Sequence, residues 1–237
     1  MGAYEAVVFD LDGTLFDHVG AATAGVRDWL TGMGAEATDA LLELWFEAED
    51  RHVAAWHRGE VSFDEQRRRR LREVLPRVGR EVGSEADLDR AFARYLARYE
   101  KAWRRFDDVD ATLSMVATAG TRVAVLTNGA EHQQTQKIAV TGLAGRVGPL
   151  FCCDALGYAK PDPRAYQHVC EELGLACEHV LHVGDRYDLD VLGARAAGLA
   201  AVHLDRANRG PHHEPARVTT LNDLCRFLGH GPAARKR

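Results

Sequence analysis

The sequence predicts an α/β fold, a doubly wound parallel sheet with a helical bundle inserted into it, on three observations. Short apolar runs at 6–9, 123–126, 151–153, 180–183 and 200–204 have the length and continuity of strands buried on both faces. From residue 107 onward these runs alternate with helical stretches, the pattern of parallel strands joined by crossover helices. Residues 17–106, between the first run and the second, are almost wholly helical in pattern.

In chain order, Ala6-Val7-Val8-Phe9 is a strand that Gly13 and the small polar residues around it bring to an end. Alone ahead of a helical bundle, it could not satisfy its backbone hydrogen bonds, so it belongs with the later strands. The expected division is therefore an α/β core of 1–16 and 107–237 around an inserted helical domain of 17–106. Within the insertion, Leu41, Trp45, Ala48, His52 and Trp56 recur three or four apart, as do Phe92, Tyr95, Tyr99 and Trp103. Each set lines one helix face. Ser62-Phe63-Asp64-Glu65 has capping-box spacing and opens a further helix. The run Arg67-Arg68-Arg69-Arg70 points in four directions about 100° apart on a helix, so it reads as a solvated face rather than a groove-facing stripe. In the core, Asp162 caps a helix with Pro163 at its first position and Gly174 just past its end. Residues 229–237 read as a frayed polar tail.

Composition narrows the class. With 46% hydrophobic and 27% charged residues and only 7 Pro, the chain is neither disordered nor low in complexity. Its 30 basic and 35 acidic residues leave a net charge of -5, which argues against nucleic acid as a partner. Five Cys, an odd number with one vicinal pair at Cys152 and Cys153, make no disulfide framework and read as reduced thiols. The apolar run at 6–9 is too short for a signal peptide, and no run reaches membrane-spanning length. A cytoplasmic protein without a membrane partner is expected.

In a parallel α/β sheet, ligands bind beyond the carboxyl ends of the strands. There the sequence places Asp10 and Asp12; then Thr127, Asn128 and Gly129; then Lys160 within 157–163; then Gly184 and Asp185, followed by Asp188 and Asp190. Five carboxylates gathered at one rim cannot all stay ionised without a counter-ion. All-oxygen ligation with no adjacent Cys or His points to Mg²⁺ rather than zinc. A phosphoryl group suits such a site, and a carboxylate is a competent nucleophile when a metal and a lysine screen it. Lys160 is one of only four lysines, against a background rich in arginine, so a compact ammonium is a specific choice there.

Asp10-Leu11-Asp12-Gly13-Thr14-Leu15-Phe16-Asp17, Leu126-Thr127-Asn128-Gly129, Lys160-Pro161-Asp162-Pro163 and Gly184-Asp185 with Asp190 occur in that order. Over nearly its whole length the chain thus resembles the haloacid dehalogenase superfamily, with a Rossmann-like core. It is similar to the helical-cap phosphatases, including N-acylneuraminate-9-phosphatase and house-cleaning nucleotidase types. The resemblance implies a Mg²⁺-dependent hydrolase of small phosphorylated metabolites that works through an aspartyl-phosphate. Asp10 would be the nucleophile and Asp12 the acid and base. Thr127 would hold phosphoryl oxygens with backbone amides around Leu11, Asp12 and Asn128, and Lys160 would bridge nucleophile and phosphoryl group. Asp10, the Asp12 carbonyl, Asp185 and Asp190 would hold the metal. The fourth motif departs from the common form in carrying Arg186 and Leu189, and Arg186 becomes a candidate substrate contact.

Other readings share these motifs. A 2-haloacid dehalogenase uses the same nucleophile without a metal and does not need the acid at the second position, which Asp12 supplies. A phosphonatase would want a Schiff-base lysine in the cap, where Lys101 near its exit is the only lysine. A phosphomutase differs mainly in the phosphoryl acceptor. A non-catalytic regulatory protein would be expected to have lost a motif residue. In the cap, His18, Trp45, Arg51 and His52 are candidates for substrate selection, although tryptophans at helical spacing favour the core.

Overall fold

Among the described residues six parallel strands form one sheet: β1 (Ala6–Phe9), β2 (Arg122–Thr127), β3 (Leu150–Cys152), β4 (Val180–Gly184), β5 (Ala200–Leu204) and β6 (Arg217–Val218). Their order is β3-β2-β1-β4-β5-β6 in this computed structural model, which describes residues 4–228. The chain winds outward from β1 in both directions, the doubly wound parallel fold expected. Every residue of β1 is fully buried, as a central strand covered on both faces requires, hence its unbroken apolar run. The order reverses between β1 and β4, so the crevice for a ligand opens above their carboxyl ends. The two-residue β6 has no apolar run to announce it. Cys153 falls outside β3 and begins a helical turn instead, its thiol donating to the Asn128 carbonyl at 3.0 Å.

Of the described residues, those up to Asp17 and from Arg104 onward form one compact unit, and His18–Trp103 form the other. The helices along the chain are α1 (His18–Gly32), α2 (Asp39–His57), α3 (Phe63–Val74), α4 (Glu85–Lys101), α5 (Val109–Thr118), α6 (Glu131–Val140), α7 (Cys153–Leu156), α8 (Pro163–Leu173), α9 (Gly193–Ala196) and α10 (Cys225–Leu228). One face of the sheet, with Ala6, Val8, Ala124 and Leu126, packs on Ala165, Tyr166, Val169 and Cys170 of α8. The start of α8 is set as its punctuation implies: Asp162 accepts from the Arg164 amide at 3.0 Å, and Gly174 ends the helix at φ +63°. All five cysteines are free thiols. Among the described residues, no helix is long and apolar enough to cross a membrane.

In the helical unit, α1 packs on α4 and α3 on both α2 and α4. Its core is aromatic: Trp45 lies 4.3 Å from Tyr95 and 5.8 Å from Trp29, centroid to centroid. Gly25 lets α1 approach α4, because a Cβ there would fall 2.9 Å from the Tyr99 backbone. Of the two stripes, Phe92, Tyr95 and Tyr99 line the core, with Trp103 left beyond the end of α4 at Lys101, whereas in α2 only Trp45 and Ala48 are buried and Leu41, His52 and Trp56 lie at its margin, the buried face running instead through Leu42 and Ala55. Ser62 accepts from the Glu65 amide at 3.1 Å, and the full reciprocal capping box is found at Ser84 and Asp87.

The arginine run corrects an expectation. Arg70 is buried rather than solvated, with Nη1 3.0 Å from Glu49 and its guanidinium 4.5 Å above the Trp45 ring. A planar, weakly hydrated cation can be stacked on an aromatic core where an ammonium could not.

Candidate active site

The site begins where β1 ends. The Asp10 amide extends the ladder by donating to Val183 at 2.9 Å, and the chain then folds on itself as the Thr14, Leu15 and Phe16 amides all return to the Leu11 carbonyl. Gly13 makes this possible at φ +90°, and a Cβ there would also collide with the Asp185 carboxylate at 2.4 Å. The sharp turn sends Asp10 and Asp12 in different directions, toward different partners.

Asp10 meets Lys160. The Lys160 ammonium, fully enclosed, donates to Asp10 Oδ1 at 2.7 Å and to Asp190 Oδ1 at 2.6 Å. Asn128 positions this lysine, donating to its carbonyl and accepting from its amide, each at 2.8 Å. The Asn128 side chain is therefore spent on Lys160. Asp190 is saturated: besides the ammonium, its Oδ1 lies 3.0 Å from Nε2 of buried His182, and its Oδ2 accepts from the Arg186 amide at 3.0 Å. A π-helical turn at Tyr187–Leu192 brings Asp190 back over β4, where Gly184 leaves it room, since a Cβ there would sit 2.1 Å from the Asp190 carboxyl carbon.

Asp185 completes a triangle. Ligand oxygens of Asp10, Asp185 and Asp190 lie within 4.8 Å of one another. Asp10 Oδ2 and Asp185 Oδ1 are buried without any hydrogen-bond donor. Burial, reinforced by mutual repulsion, pushes the Asp10 carboxyl up to about 7 even against Lys160. Burial and the same neighbours push Asp185 up to about 8. Burial also acts on Asp190, but Lys160 and His182 outweigh it and hold Asp190 below the usual carboxylate range. Conversely, burial disfavours the Lys160 ammonium and its two carboxylates overcome this, raising its pKa. Three ionised carboxylates and one ammonium would leave two negative charges in the pocket. Two orphaned acid oxygens and a donor set made only of oxygen are what a hard divalent cation fits.

Asp12 faces the other way, onto α6. Lys137 Nζ lies 2.5 Å from its Oδ1, and Gln134 Nε2 donates to its Oδ2 at 2.7 Å. The same Gln134 amide donates to Thr127 Oγ1 at 2.7 Å, so one side chain ties the first motif to the second. Gly129 admits it, because a Cβ at Gly129 would lie 2.2 Å from Gln134 Nε2. Asp188 and Arg186 remain half exposed or more and face each other at 3.6 Å.

Of the residues singled out by sequence, Asp10, Lys160, Asp185 and Asp190 converge on one point, and Asp12 and Thr127 on an adjoining one. Gln134, Lys137 and His182 are additions the strand-end motifs do not announce. In the helical unit, Trp45 is core, Arg51 and His52 both pair with Glu73 at 2.5 Å, and His18 bonds the Tyr99 hydroxyl at 2.9 Å.

A model of the haloacid dehalogenase-like hydrolase family matches residues 4–198. The chain belongs to this family of hydrolases and is an enzyme of that class. A phosphoserine phosphatase from Thermus thermophilus is 31% identical over 196 residues, 83% of this chain and 75% of that protein. Among solved structures, magnesium-bound HAD-hydrolase YfnB from Bacillus subtilis superposes with a TM-score of 0.81 over 95% of this chain and 98% of that one, at 22% identity. The 2-haloacid dehalogenase of Pseudomonas syringae superposes with a TM-score of 0.65 over 95% and 98%, at 26% identity.

Proposed function

We propose that the chain is a Mg²⁺-dependent phosphatase acting on a small-molecule phosphate monoester through an aspartyl-phosphate on Asp10. The observation that carries this reading is the pairing of two carboxylates with separate surroundings. Asp10 sits against a buried ammonium, and Asp12 lies two residues on, held from α6 beside Thr127. Displacement at phosphorus needs both a screened nucleophile and a separate proton carrier.

In the first half-reaction an Asp10 oxygen bonds to phosphorus as the bond to the leaving oxygen breaks, and a proton passes from Asp12 to that oxygen. In the second, water bonds to phosphorus, gives its proton to Asp12, and the Asp10 carboxylate departs. Lys160 balances charge on Asp10 and on the phosphoryl oxygens as it moves between them. Thr127 and backbone amides around Leu11, Asp12 and Asn128 orient the phosphoryl group.

Mg²⁺ would be held by Asp10 and Asp185 with the Asp12 carbonyl, and when bound it supplies positive charge to the phosphoryl oxygens. Asp190, both oxygens of which already accept hydrogen bonds, would serve as a further or water-mediated ligand and would act on Asp10 through Lys160. Residues 17–106 would serve as the cap that covers the substrate and selects it.

The test is turnover. The chain should hydrolyse an aryl phosphate with Mg²⁺, and neither the Asp10→Asn variant nor the wild type in excess chelator should do so. Halide release from a 2-haloacid with chelator present, and no phosphate release from a broad metabolite panel, would instead establish dehalogenase chemistry.

A further inference from the structure

We propose that Lys137 and Gln134 are the positioning residues of the proton carrier Asp12, and that the substrate is accordingly the phosphate ester of an aliphatic alcohol. The inference rests on the phosphatase reading above.

Gln134 and Lys137 stand three residues apart on α6 and so share a face. Both are buried, which is unusual for an ammonium and an amide unless each has a fixed task. Their tasks are complementary. Lys137 takes Asp12 Oδ1 at 2.5 Å, and Gln134 takes Oδ2 at 2.7 Å, so the carboxylate is gripped by both oxygens and its plane is set. The orientation of the amide follows from chemistry: reversed, its oxygen would face the Asp12 carboxylate and the Thr127 hydroxyl oxygen. As it stands, its two N–H groups serve those two acceptors, and its Oε1 is buried without a donor. Leaving that oxygen orphaned costs stability, and the cost is accepted to hold Asp12 at a fixed distance from Thr127. Phe16, whose ring lies 4.7 Å from Lys137 Nζ, closes the other side of the ammonium.

In the first half-reaction such a grip matters only if the proton must arrive in a defined direction. An aryl oxide leaves without help, whereas an alkoxide is too basic to depart unprotonated. A chain that commits two buried polar residues to aiming one carboxylate is therefore adapted to an alkyl leaving group.

The experiment compares two substrates in the full chain with Mg²⁺: a nitrophenyl phosphate and a simple alkyl phosphate. For Lys137→Met, kcat/KM, which reports the first half-reaction alone, should fall about 10²-fold on the alkyl ester, the low end of what a positioned acid contributes, and less than about tenfold on the aryl ester. In an Asp12→Asn background, Lys137→Met should add no further loss on the alkyl ester. Gln134→Leu, which breaks the other arm of the grip, should show the same leaving-group dependence and serves in its place if Lys137→Met does not fold. Equal losses of kcat/KM on both esters, or full additivity with Asp12→Asn, overturn the inference while leaving the phosphatase reading intact. A wild type inert toward both esters overturns that reading, and the inference with it.

Discussion

Replacing Lys160 with Met probes the centre of the site most severely. Its ammonium is hydrogen-bonded to both Asp10 and Asp190, at 2.7 and 2.6 Å, and it is too deeply buried for water to substitute. Removing one member of a buried ion cluster strands the others, at a cost of about 3–5 kcal/mol. For a chain of this length that is a fall in Tm of about 6–20 °C, read by calorimetry in chelator so that no metal compensates. The deficit has a pH signature. Lys160 and His182 hold Asp190 below its usual range, so this carboxylate stabilises the wild type above that range and the gain is lost as pH falls. Without Lys160, both Asp190 and Asp10 take up protons more readily, and a neutral carboxyl needs no counter-charge. The wild-type and Lys160→Met stability curves should therefore converge from about pH 8 down to about pH 5. Activity should fall at least ~10²-fold, the scale of losing a fixed charge aimed at the reacting group. A Lys160→Met protein that melts within about 2 °C of wild type at about pH 8, with no convergence in acid, would mean that Lys160 does not hold this cluster of charges together.

Three other outcomes follow from the same geometry. Asp10 and Asp185, raised to about 7 and about 8, keep protons that the unfolded chain loses near 4, so metal-free stability should decline as pH rises across that interval. Mg²⁺ favours the ionised forms, so the melting shift produced by a fixed Mg²⁺ concentration should be larger at about pH 8 than at about pH 6; an equal shift at both would contradict the assignment. Gly129→Ala places a Cβ 2.2 Å from Gln134 Nε2 and must displace it, so urea denaturation should show a loss of about 1–3 kcal/mol together with reduced turnover; an unaffected variant would mean that Gln134 is not held where it is seen.

The parts of the fold and site that could be read from the sequence are those whose causes are local. A buried strand must be apolar throughout, and the residues ending it stand next in the chain, which is why Asp10, Thr127 and Asp185 were visible. The punctuation of α8 was legible for the same reason, since caps act within a turn. Residues whose purpose lies across space were not legible. Gln134 and Lys137 look like an ordinary polar helix face until the turn at Gly13 swings Asp12 toward them. His182 lies inside an apolar run and looks like a chance polar residue until the π-helical turn returns Asp190 to it. Arg70 looked solvated because a run of four arginines must put most of them in water; that one would stack on Trp45 depends on how α2 and α3 pack. A spacing of i and i+3 between Gln and Lys just after Thr-Asn-Gly is the signal that could have pointed to α6.

An aspartyl-phosphate on Asp10 is tested most directly by finding the phosphoryl group on the enzyme. Asp12→Asn, which lacks the base for the second half-reaction, is mixed with an aryl phosphate and Mg²⁺, quenched in acid and analysed by peptide mass spectrometry. A mass gain of one phosphoryl group is expected on the peptide that begins the first motif, located at Asp10 and absent from the Asp10→Asn protein. Substrate turnover by the wild type with no adduct at Asp10, or an adduct on another residue, would contradict it.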